Sequence, residues 1–267
     1  MSGYEIHAVR YATLRSRRSE LFYRHSSYGE PDAEIDMAYY FWVLRRNGEA
    51  ILVDTGFDPE VGARRGRTCL VPPLDALRGM GIAPESVSTV VVTHFHYDHV
   101  GNLDRFPHAQ LIVPATELAF WTGPLAARFQ FGSHVEAGEI ASIDRAHREG
   151  RVRTTDGTEE ILDGVTSIQV GGHSPGQQLT VVESARGQVV LASDAVHFYQ
   201  ELELQRPFAV VHDLERMYAA YDLLDGLGGA GATVVPGHDP AVARRHGADA
   251  GATTFRIDGR AEGRPRR

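Results

Sequence analysis

The sequence has a single cysteine, Cys69, so an internal disulfide is excluded and a free thiol is expected. No apolar run reaches the roughly 18 residues of a membrane-spanning helix, and the N-terminus lacks the pattern of a signal peptide. We therefore expect a cytoplasmic protein without a membrane partner. An excess of positive charge is also missing, because the formal net charge is −8, which argues against a nucleic-acid partner.

The length of 267 residues is enough for one large α/β domain with a sizeable core. We predict a single domain over residues 1–247. Within it, residues 115–150 have a helical pattern and bulky aromatic side chains, which indicates a helical insertion near a pocket. Residues 248–267 are rich in Gly, Ala and Arg, so a poorly ordered tail is expected.

Local patterns predict the elements that lead into the chemistry. Apolar runs at 39–45 and 49–53 are joined by Asn47-Gly48, a hairpin signal. Residues 88–93 are apolar and β-branched, which favours a buried strand, and residues 212–227 have helical spacing of large apolar side chains.

The main feature of the chain is the segment His94-Phe95-His96-Tyr97-Asp98-His99, with four metal-ligand residues in six positions. In extended backbone, side chains two apart point the same way, so His94 and His96 can share one cation. A turn after them presents Asp98 and His99 to a neighbouring position. One loop could therefore contribute to two metal sites.

A pair of metal ions needs further ligands, and three candidates follow predicted strands. His173 lies in a glycine-rich turn after residue 170, Asp194 follows the apolar run 189–192, and His238 follows 233–237. Taken singly, such residues are more often turn, cap or surface residues. Their value lies in completing one coordination set.

With these residues in this order, the sequence resembles the metallo-β-lactamase superfamily, whose pattern is HxHxDH followed by a His, an Asp and a His. The resemblance implies an α/β fold, an αββα sandwich of two mixed β-sheets flanked by helices. It also implies two divalent metal ions per chain, with zinc favoured over manganese, iron or cobalt. By the same resemblance, Asp54 is a partner for a ligand imidazole. The implied ligands are His94, His96 and His173 for the first metal, Asp98, His99 and His238 for the second, and Asp194 as the bridge.

Within that superfamily the sequence is most similar to N-acyl-homoserine lactonases, through the segments 96–102, 173–177, 206–209 and 237–239. One position departs from them. Known lactonases carry a tyrosine three residues after the bridging aspartate, where it contacts the substrate carbonyl, whereas this chain has His197. Either His197 polarises the carbonyl, or Tyr199 takes that role, or the substrate differs.

The resemblance implies a quorum-quenching lactonase, a carboxylic-ester hydrolase that opens N-acyl-homoserine lactones or a related lactone. A hydroxide shared by the two metals would attack the carbonyl, and Asp98 would be both ligand and proton carrier. The partner is then a small-molecule lactone, and a homodimer stays open. The aromatic residues that could line an acyl pocket are Phe120, Trp121, Phe129, Phe131, Phe198 and Phe208.

Other hydrolases can use the same metals, so an ester, a thioester or a cyclic amide remains an alternative substrate class. A nuclease is disfavoured by the acidic balance. A non-enzymatic module, or a diiron redox or sensing module, is disfavoured because the ligand set is complete and no room is left for a flavin domain.

Overall fold

The computed structural model describes residues 3–249 and 251–257, and these residues form two mixed β-sheets flanked by helices, as predicted. The strands of the first sheet are β1 (Glu5–Arg17), β2 (Glu34–Arg46), β3 (Glu49–Val53), β4 (Thr68–Cys69), β5 (Thr89–Val91), β6 (Gln110–Pro114), β7 (Val152–Thr155) and β13 (Thr254–Ile257). Those of the second sheet are β8 (Thr158–Leu162), β9 (Val165–Gln169), β10 (Gln178–Ser184), β11 (Gly187–Ser193) and β12 (Thr233–Pro236).

The first sheet has the order β13-β1-β2-β3-β5-β6-β7, with β4 pairing with β1, and the second has the order β12-β11-β10-β9-β8. The pairs β3–β5, β5–β6, β6–β7 and β11–β12 are parallel, and the other pairs are antiparallel. Parallel neighbours end at the same edge of a sheet, so the loops that follow β3, β5 and β6 emerge side by side.

The helices are α1 (Arg18–Leu21), α2 (Pro59–Arg64), α3 (Pro73–Gly79), α4 (Tyr97–Val100), α5 (Ala115–Trp121), α6 (Phe129–Gly132), α7 (Ala137–Arg148), α8 (Tyr199–Leu204), α9 (Leu214–Gly229) and α10 (Ala241–Arg245). Local chemistry explains where two of them begin. Asp58 caps α2 by accepting from the backbone N–H of Glu60, and Asp213 caps α9 in the same way. The predicted insertion at 115–150 carries α5, α6 and α7. No helix in the described part of the chain is long and apolar enough to span a membrane.

The core has two layers because the central strands are buried on both faces. In β2, Tyr40 and Trp42 join a cluster that also contains Val182 and Leu191 of the second sheet, so this cluster fills the space between the sheets. Phe41 of the same strand belongs to the other cluster, which includes the helices. This arrangement explains why β2 has a continuous apolar run rather than an alternating pattern.

The predicted hairpin is confirmed at the end of β2. Asn47 and Gly48 have φ values of 53° and 85°, and two consecutive left-handed residues are typical of the tight turn that the Asn-Gly pair favours. The turn fixes the register in which Trp42 lies opposite Val53. It therefore sets where β3 ends and where Asp54 begins the next loop.

The structure departs from the expectation of a poorly ordered tail at 248–267. Residues 254–257 form β13, which is antiparallel to β1, with Phe255 opposite Ala8 and Ile257 opposite Ile6. Both β13 side chains are buried, and this burial compensates for the low apolar content around them. Residue 250 and residues 258–267 lie outside the described residues. Cys69 is a free, half-buried thiol in β4.

The close packing between the loop after β3 and the end of α4 generates a testable prediction. A Cβ at Gly101 would lie 2.6 Å from Phe57 Cα and 2.8 Å from Gly56 O, both backbone atoms that cannot rotate away. We expect Gly101→Ala to lower the free energy of unfolding by about 1–3 kcal/mol, measured by urea denaturation. The matched control is Gly138→Ala in α7, where nothing lies within 4 Å, and it should be neutral or stabilising by up to about 1 kcal/mol. Equal stability of the two variants would contradict the steric argument.

Candidate metal centre

The implied metal ligands lie where strands of both sheets end. His94 comes shortly after β5, His173 after β9, Asp194 directly after β11 and His238 after β12. Buried strands place their ends with little freedom, so side chains in these four loops can meet with fixed geometry. All four residues are buried.

The short helix α4 supplies Asp98 and His99, and His96 is the residue that precedes it. The loop after β3 holds this helix, because Thr55 N–H donates to the carbonyl of His99 at 2.8 Å and Gly101 N–H donates to the carbonyl of Gly56 at 2.9 Å. The pattern HxHxDH therefore folds as an extended segment followed by one helical turn. This geometry lets His94 and His96 face one metal position, while Asp98 and His99 face the other.

Two of the four groups of candidate ligand atoms that lie within 4.8 Å of one another are His94, His96 and His173, and Asp98, His99 and His238; the other two contain Asp194, with His94 and His99 or with His173 and His197. Asp194 lies between the first two groups. Its Oδ2 is 3.3 Å from His173 Nε2 and 3.8 Å from His94 Nε2. Its Oδ1 is 3.0 Å from His238 Nε2 and 3.2 Å from His99 Nε2. One carboxylate thus presents a different oxygen to each group.

Four of the five histidines are oriented by a partner at Nδ1, which leaves Nε2 for the centre. His173 Nδ1 lies 3.0 Å from the carbonyl of Val210, and His238 Nδ1 lies 2.8 Å from that of Ala38. His94 Nδ1 contacts Thr93 Oγ1 at 3.2 Å. His96 is reversed, since its Nδ1 lies 2.9 Å from His173 Nε2. Partners of this kind fix the tautomer and the ring plane of a ligand imidazole.

Asp54 orients His99, the fourth of these histidines, and also binds Thr93, the residue before His94. Its Oδ2 lies 2.7 Å from His99 Nδ1 and accepts from Thr93 Oγ1, while its Oδ1 accepts from Thr93 N–H. Asp54 has a φ of 63°, a left-handed conformation that aspartate tolerates better than bulky residues do. The backbone strain is compensated by three buried contacts of its carboxylate.

Burial and charge set the protonation of the cluster. Burial holds the pKa of His94, His96 and His173 well below the ordinary value, so these imidazoles keep a free lone pair. For Asp194, burial works in the opposite direction, but the surrounding histidines hold its pKa well below the ordinary value. Burial would also lower the pKa of His99, but Asp194, Asp54 and Asp98 outweigh it and hold that pKa well above the ordinary value. The centre therefore combines three neutral imidazoles with buried carboxylate charge.

This donor set fits a pair of divalent cations. His94 Nε2 and His99 Nε2 are buried and have no hydrogen-bond partner, although they point into the centre. Buried polar atoms without partners are rare in folded proteins. Imidazole nitrogens with carboxylate oxygens are the ligands that zinc and similar metals prefer. A metal on each side of Asp194 would satisfy these atoms.

Glu117 of α5 ties together the two loops that carry the first group of histidines. Its Oε1 accepts from Ser174 Oγ at 2.5 Å and from Gly176 N–H at 2.7 Å, next to His173. Its Oε2 accepts from Phe95 N–H at 3.2 Å, between His94 and His96, and also from Trp121 Nε1. Burial raises the pKa of Glu117 although the four donors oppose this shift. No sequence motif indicated this role.

His197 is close to the centre but closed off from solvent. Its side chain has no exposed surface, and Phe208 stacks on it at 3.6 Å between ring centroids. His197 Nε2 lies 3.0 Å from Asp194 Oδ2, and the backbone N–H of His197 donates to Glu201 Oε1. Burial would lower the pKa of His197, but Asp194 and Glu201 outweigh it and raise the pKa to about 9.

The side chain of Tyr199 points away from the candidate ligands. It belongs to the cluster between the sheets, and its ring packs under the guanidinium of Arg245 at 3.6 Å. Its hydroxyl is buried and has no hydrogen-bond partner. The helix α8 begins at Tyr199, so residues 197 and 199 face different directions, and Tyr199 is not brought to the ligands.

Two adjoining cavities of about 190 Å³ and 280 Å³ open onto the ligands, and both are lined by His96, His134, His173 and Val210. The smaller cavity also reaches Asp98, Asp194 and Phe208. Trp121 and Phe131 line the larger one. Phe120 packs against these two side chains, whereas Phe198 is buried against Phe22 and Phe129 is exposed.

His134 is a functional candidate that sequence reasoning did not find. It is half-buried, lines both cavities, and its ring lies 5.2 Å from that of His96. It comes from the turn between α6 and α7, and its carbonyl accepts from the backbone N–H of Tyr97. A single histidine in a polar turn carries no spacing signal, so only the folded chain reveals its position.

Known proteins are similar to this chain in sequence. An N-acyl homoserine lactonase from Bacillus thuringiensis is 25% identical over 194 residues, which covers 67% of this chain and 72% of the relative. The N-acyl homoserine lactonase AiiB from Agrobacterium fabrum is 28% identical over 183 residues, covering 61% of this chain and 64% of the relative.

Solved structures share the fold. A structure of N-acyl homoserine lactone hydrolase with the product N-hexanoyl-L-homoserine bound has a TM-score of 0.74 at 20% identity, covering 91% of this chain and 96% of the other. AidC, a dizinc quorum-quenching lactonase, has a TM-score of 0.72 at 18% identity, covering 90% and 89%. The signature of the metallo-β-lactamase superfamily matches residues 36–247, most of the chain. Together with the fold and the convergence of His and Asp ligands at the strand ends, this match shows that the chain belongs to the metallo-β-lactamase superfamily.

Proposed function

We propose that the chain is a dinuclear metal-dependent hydrolase that opens a lactone ring, with zinc as the metal. The observation that carries the proposal is the position of Asp194, whose two oxygens face two separate groups of histidines beside a cavity. The similarity to N-acyl homoserine lactonases supports a small lactone as the substrate. The larger cavity, with Trp121 and Phe131, offers an apolar surface for an acyl group.

Two bound divalent ions would supply Lewis acidity, which activates water and stabilises negative charge on a carbonyl oxygen. The chain itself supplies the proton carrier. Asp98 lines the smaller cavity, and its Oδ2 lies 3.7 Å from His99 Nε2 and 3.8 Å from His238 Nε2. We assign Oδ1 as the atom that takes the proton of the attacking water and passes it to the ring oxygen when the C–O bond breaks.

His134 is our candidate for the group that binds the carbonyl oxygen. It lies where the two cavities meet, so a carbonyl above the ligands would be within its reach. His197 is covered by Phe208 and lies beside Asp194, so we assign it a positioning role on that carboxylate. Tyr199 has no role in this proposal, because its hydroxyl points into the core.

The substrate class is tested with a panel that contains N-acyl-homoserine lactones of several chain lengths, simple γ- and δ-lactones, a thioester and a β-lactam. We expect acid release from lactones, measured with a pH indicator, and about two metals per chain by elemental analysis. Asp194→Ala should lose metal and all lactone turnover. Turnover of the thioester with inert lactones would contradict the proposal, as would full activity of the Asp194 variant.

Substitutions of His134 and His197 should affect turnover and metal content differently. His134→Ala should lower kcat for lactones roughly 100-fold with an unchanged metal content, because it removes one donor to the carbonyl oxygen. His197→Ala should lower metal affinity and turnover together, by roughly 10- to 100-fold, because it acts through Asp194. Tyr199→Phe is the matched control and should leave both quantities unchanged. Metal loss in the His134 variant would contradict its assignment to the substrate.

Glu117→Gln tests the link between the two ligand loops. The amide replaces one acceptor oxygen by a donor, which leaves two buried donors facing it, at a cost of about 1–3 kcal/mol in the free energy of unfolding. We expect lower stability in urea and weaker metal retention during dialysis against a chelator. Glu149→Gln, an exposed surface change, is the control. Unchanged metal retention in Glu117→Gln would show that the loops hold their geometry without this carboxylate.

A further inference from the structure

The smaller cavity beside the metal ligands has one cationic side chain in its wall. Arg67 lies between α2 and β4 and lines this cavity together with His96, Asp98 and Asp194. The arginine is the one Arg or Lys among the described residues that line either cavity next to the ligands. It is half-buried, so its charge acts in a partly desolvated space.

Arg67 is held in place by its surroundings. Its Nε donates to the hydroxyl of Tyr97 at 2.9 Å, and its Nη1 donates to the carbonyl of Arg65 at 2.5 Å. The backbone N–H of Arg67 donates to the carbonyl of Gly62, and the next residue, Thr68, pairs with β1. Because Tyr97 immediately precedes the ligand Asp98, these contacts fix the guanidinium beside the ligand cluster.

No carboxylate in the described part of the chain lies within ion-pair distance of Arg67. Its neighbours are different, since Arg64 and Arg65 both pair with Glu136, at 3.1 Å and 2.8 Å. Glu20, the acidic residue of the cavity wall that is not a candidate metal ligand, instead accepts from Ser16 Oγ and from the backbone N–H of Arg17. Arg67 therefore has no ion-pair partner in the described part of the chain, and its charge, which Asp98 attracts over a longer distance, is available to a bound anion.

The wall of the smaller cavity also has apolar side chains, namely Leu14, Leu21 and Met37. The larger cavity, on the other side of His134 and His173, has the aromatic pair Trp121 and Phe131 and contains no Arg or Lys. A substrate whose carbonyl lies over the metal ligands would thus meet Arg67 in the smaller cavity and no Arg or Lys in the larger one.

We propose that Arg67 binds a carboxylate of the substrate, so that the natural substrate is an anionic lactone or ester with its carboxylate in the smaller cavity and an apolar group in the larger one. This inference rests on the proposed hydrolytic function and narrows its substrate class. A planar guanidinium matches a carboxylate with two parallel N–H donors, and such charge-assisted hydrogen bonds are stronger than neutral ones.

The test compares two γ-lactones that differ only in charge, 5-oxooxolane-2-carboxylate and its carboxamide. With the metal-loaded wild-type protein we expect kcat/KM to be at least about tenfold higher for the carboxylate. Arg67→Gln should remove this preference through a higher KM for the carboxylate, with the carboxamide changed less than about threefold. Arg67→Lys should restore part of it, because the charge returns without the planar fork.

Arg64→Gln is the matched control, since Arg64 is exposed, lies in the same segment and is paired with Glu136. It should change neither substrate. Equal kcat/KM for the two lactones in the wild type would overturn the proposal. An equal loss on both lactones in Arg67→Gln would also overturn it, because Arg67 would then act only as a support for Tyr97.

A binding measurement separates this inference from the proposed function. If neither these two lactones nor any lactone of the substrate panel is hydrolysed, the hydrolytic proposal fails, but glutarate binding to the metal-loaded protein still tests Arg67 by calorimetry. We expect glutarate to bind at least about tenfold more weakly to Arg67→Gln than to wild type at equal metal content. Unchanged glutarate affinity would overturn the role of Arg67 independently of any turnover.

Discussion

The structure depends on one buried carboxylate. Asp194 has to be ionised to face two groups of imidazoles, and an isolated carboxylate would be strongly destabilised in this interior. The surrounding histidines stabilise its charge, and each of them must in turn be held with a defined nitrogen toward it. The contacts of Asp54, Val210 and Ala38 with ligand imidazoles follow from this requirement.

The same requirement explains the strained backbone at the strand ends. Asp54 and Ser193 both have positive φ values, 63° and 46°. Asp54 follows β3 of the first sheet and Ser193 ends β11 of the second, and at both places the chain turns toward the candidate ligands. Their side chains are linked through Thr93, whose Oγ1 lies 2.8 Å from Asp54 Oδ2 and 2.9 Å from Ser193 Oγ. Strained residues persist only where the surroundings fix them. Here the two-sided core of the sandwich provides that constraint.

The sequence was informative where chemistry is local. Spacing in HxHxDH indicates which side chains can share a cation, and Asn47-Gly48 indicates a hairpin, because both depend on neighbouring residues alone. The sequence was uninformative where tertiary contacts determine the position of a side chain or a strand. The start of α8 turns Tyr199 into the core, β13 forms because β1 offers a free edge, and His134 and Glu117 gain their positions from distant loops. None of these has a periodic or motif signal.

This division between local and distant determinants has a consequence for specificity. The candidate metal ligands at the floor of the cavity come from the motif and from strand ends, which the fold fixes. The wall residues come from irregular segments: Arg67 from the connection after α2, His134 from the turn before α7, and Phe208 from the segment after α8. Loops tolerate change better than the strands that carry the ligands. In our proposal, the candidate metal ligands set the chemistry at the floor, whereas side chains such as Arg67 set the charge and shape of the substrate.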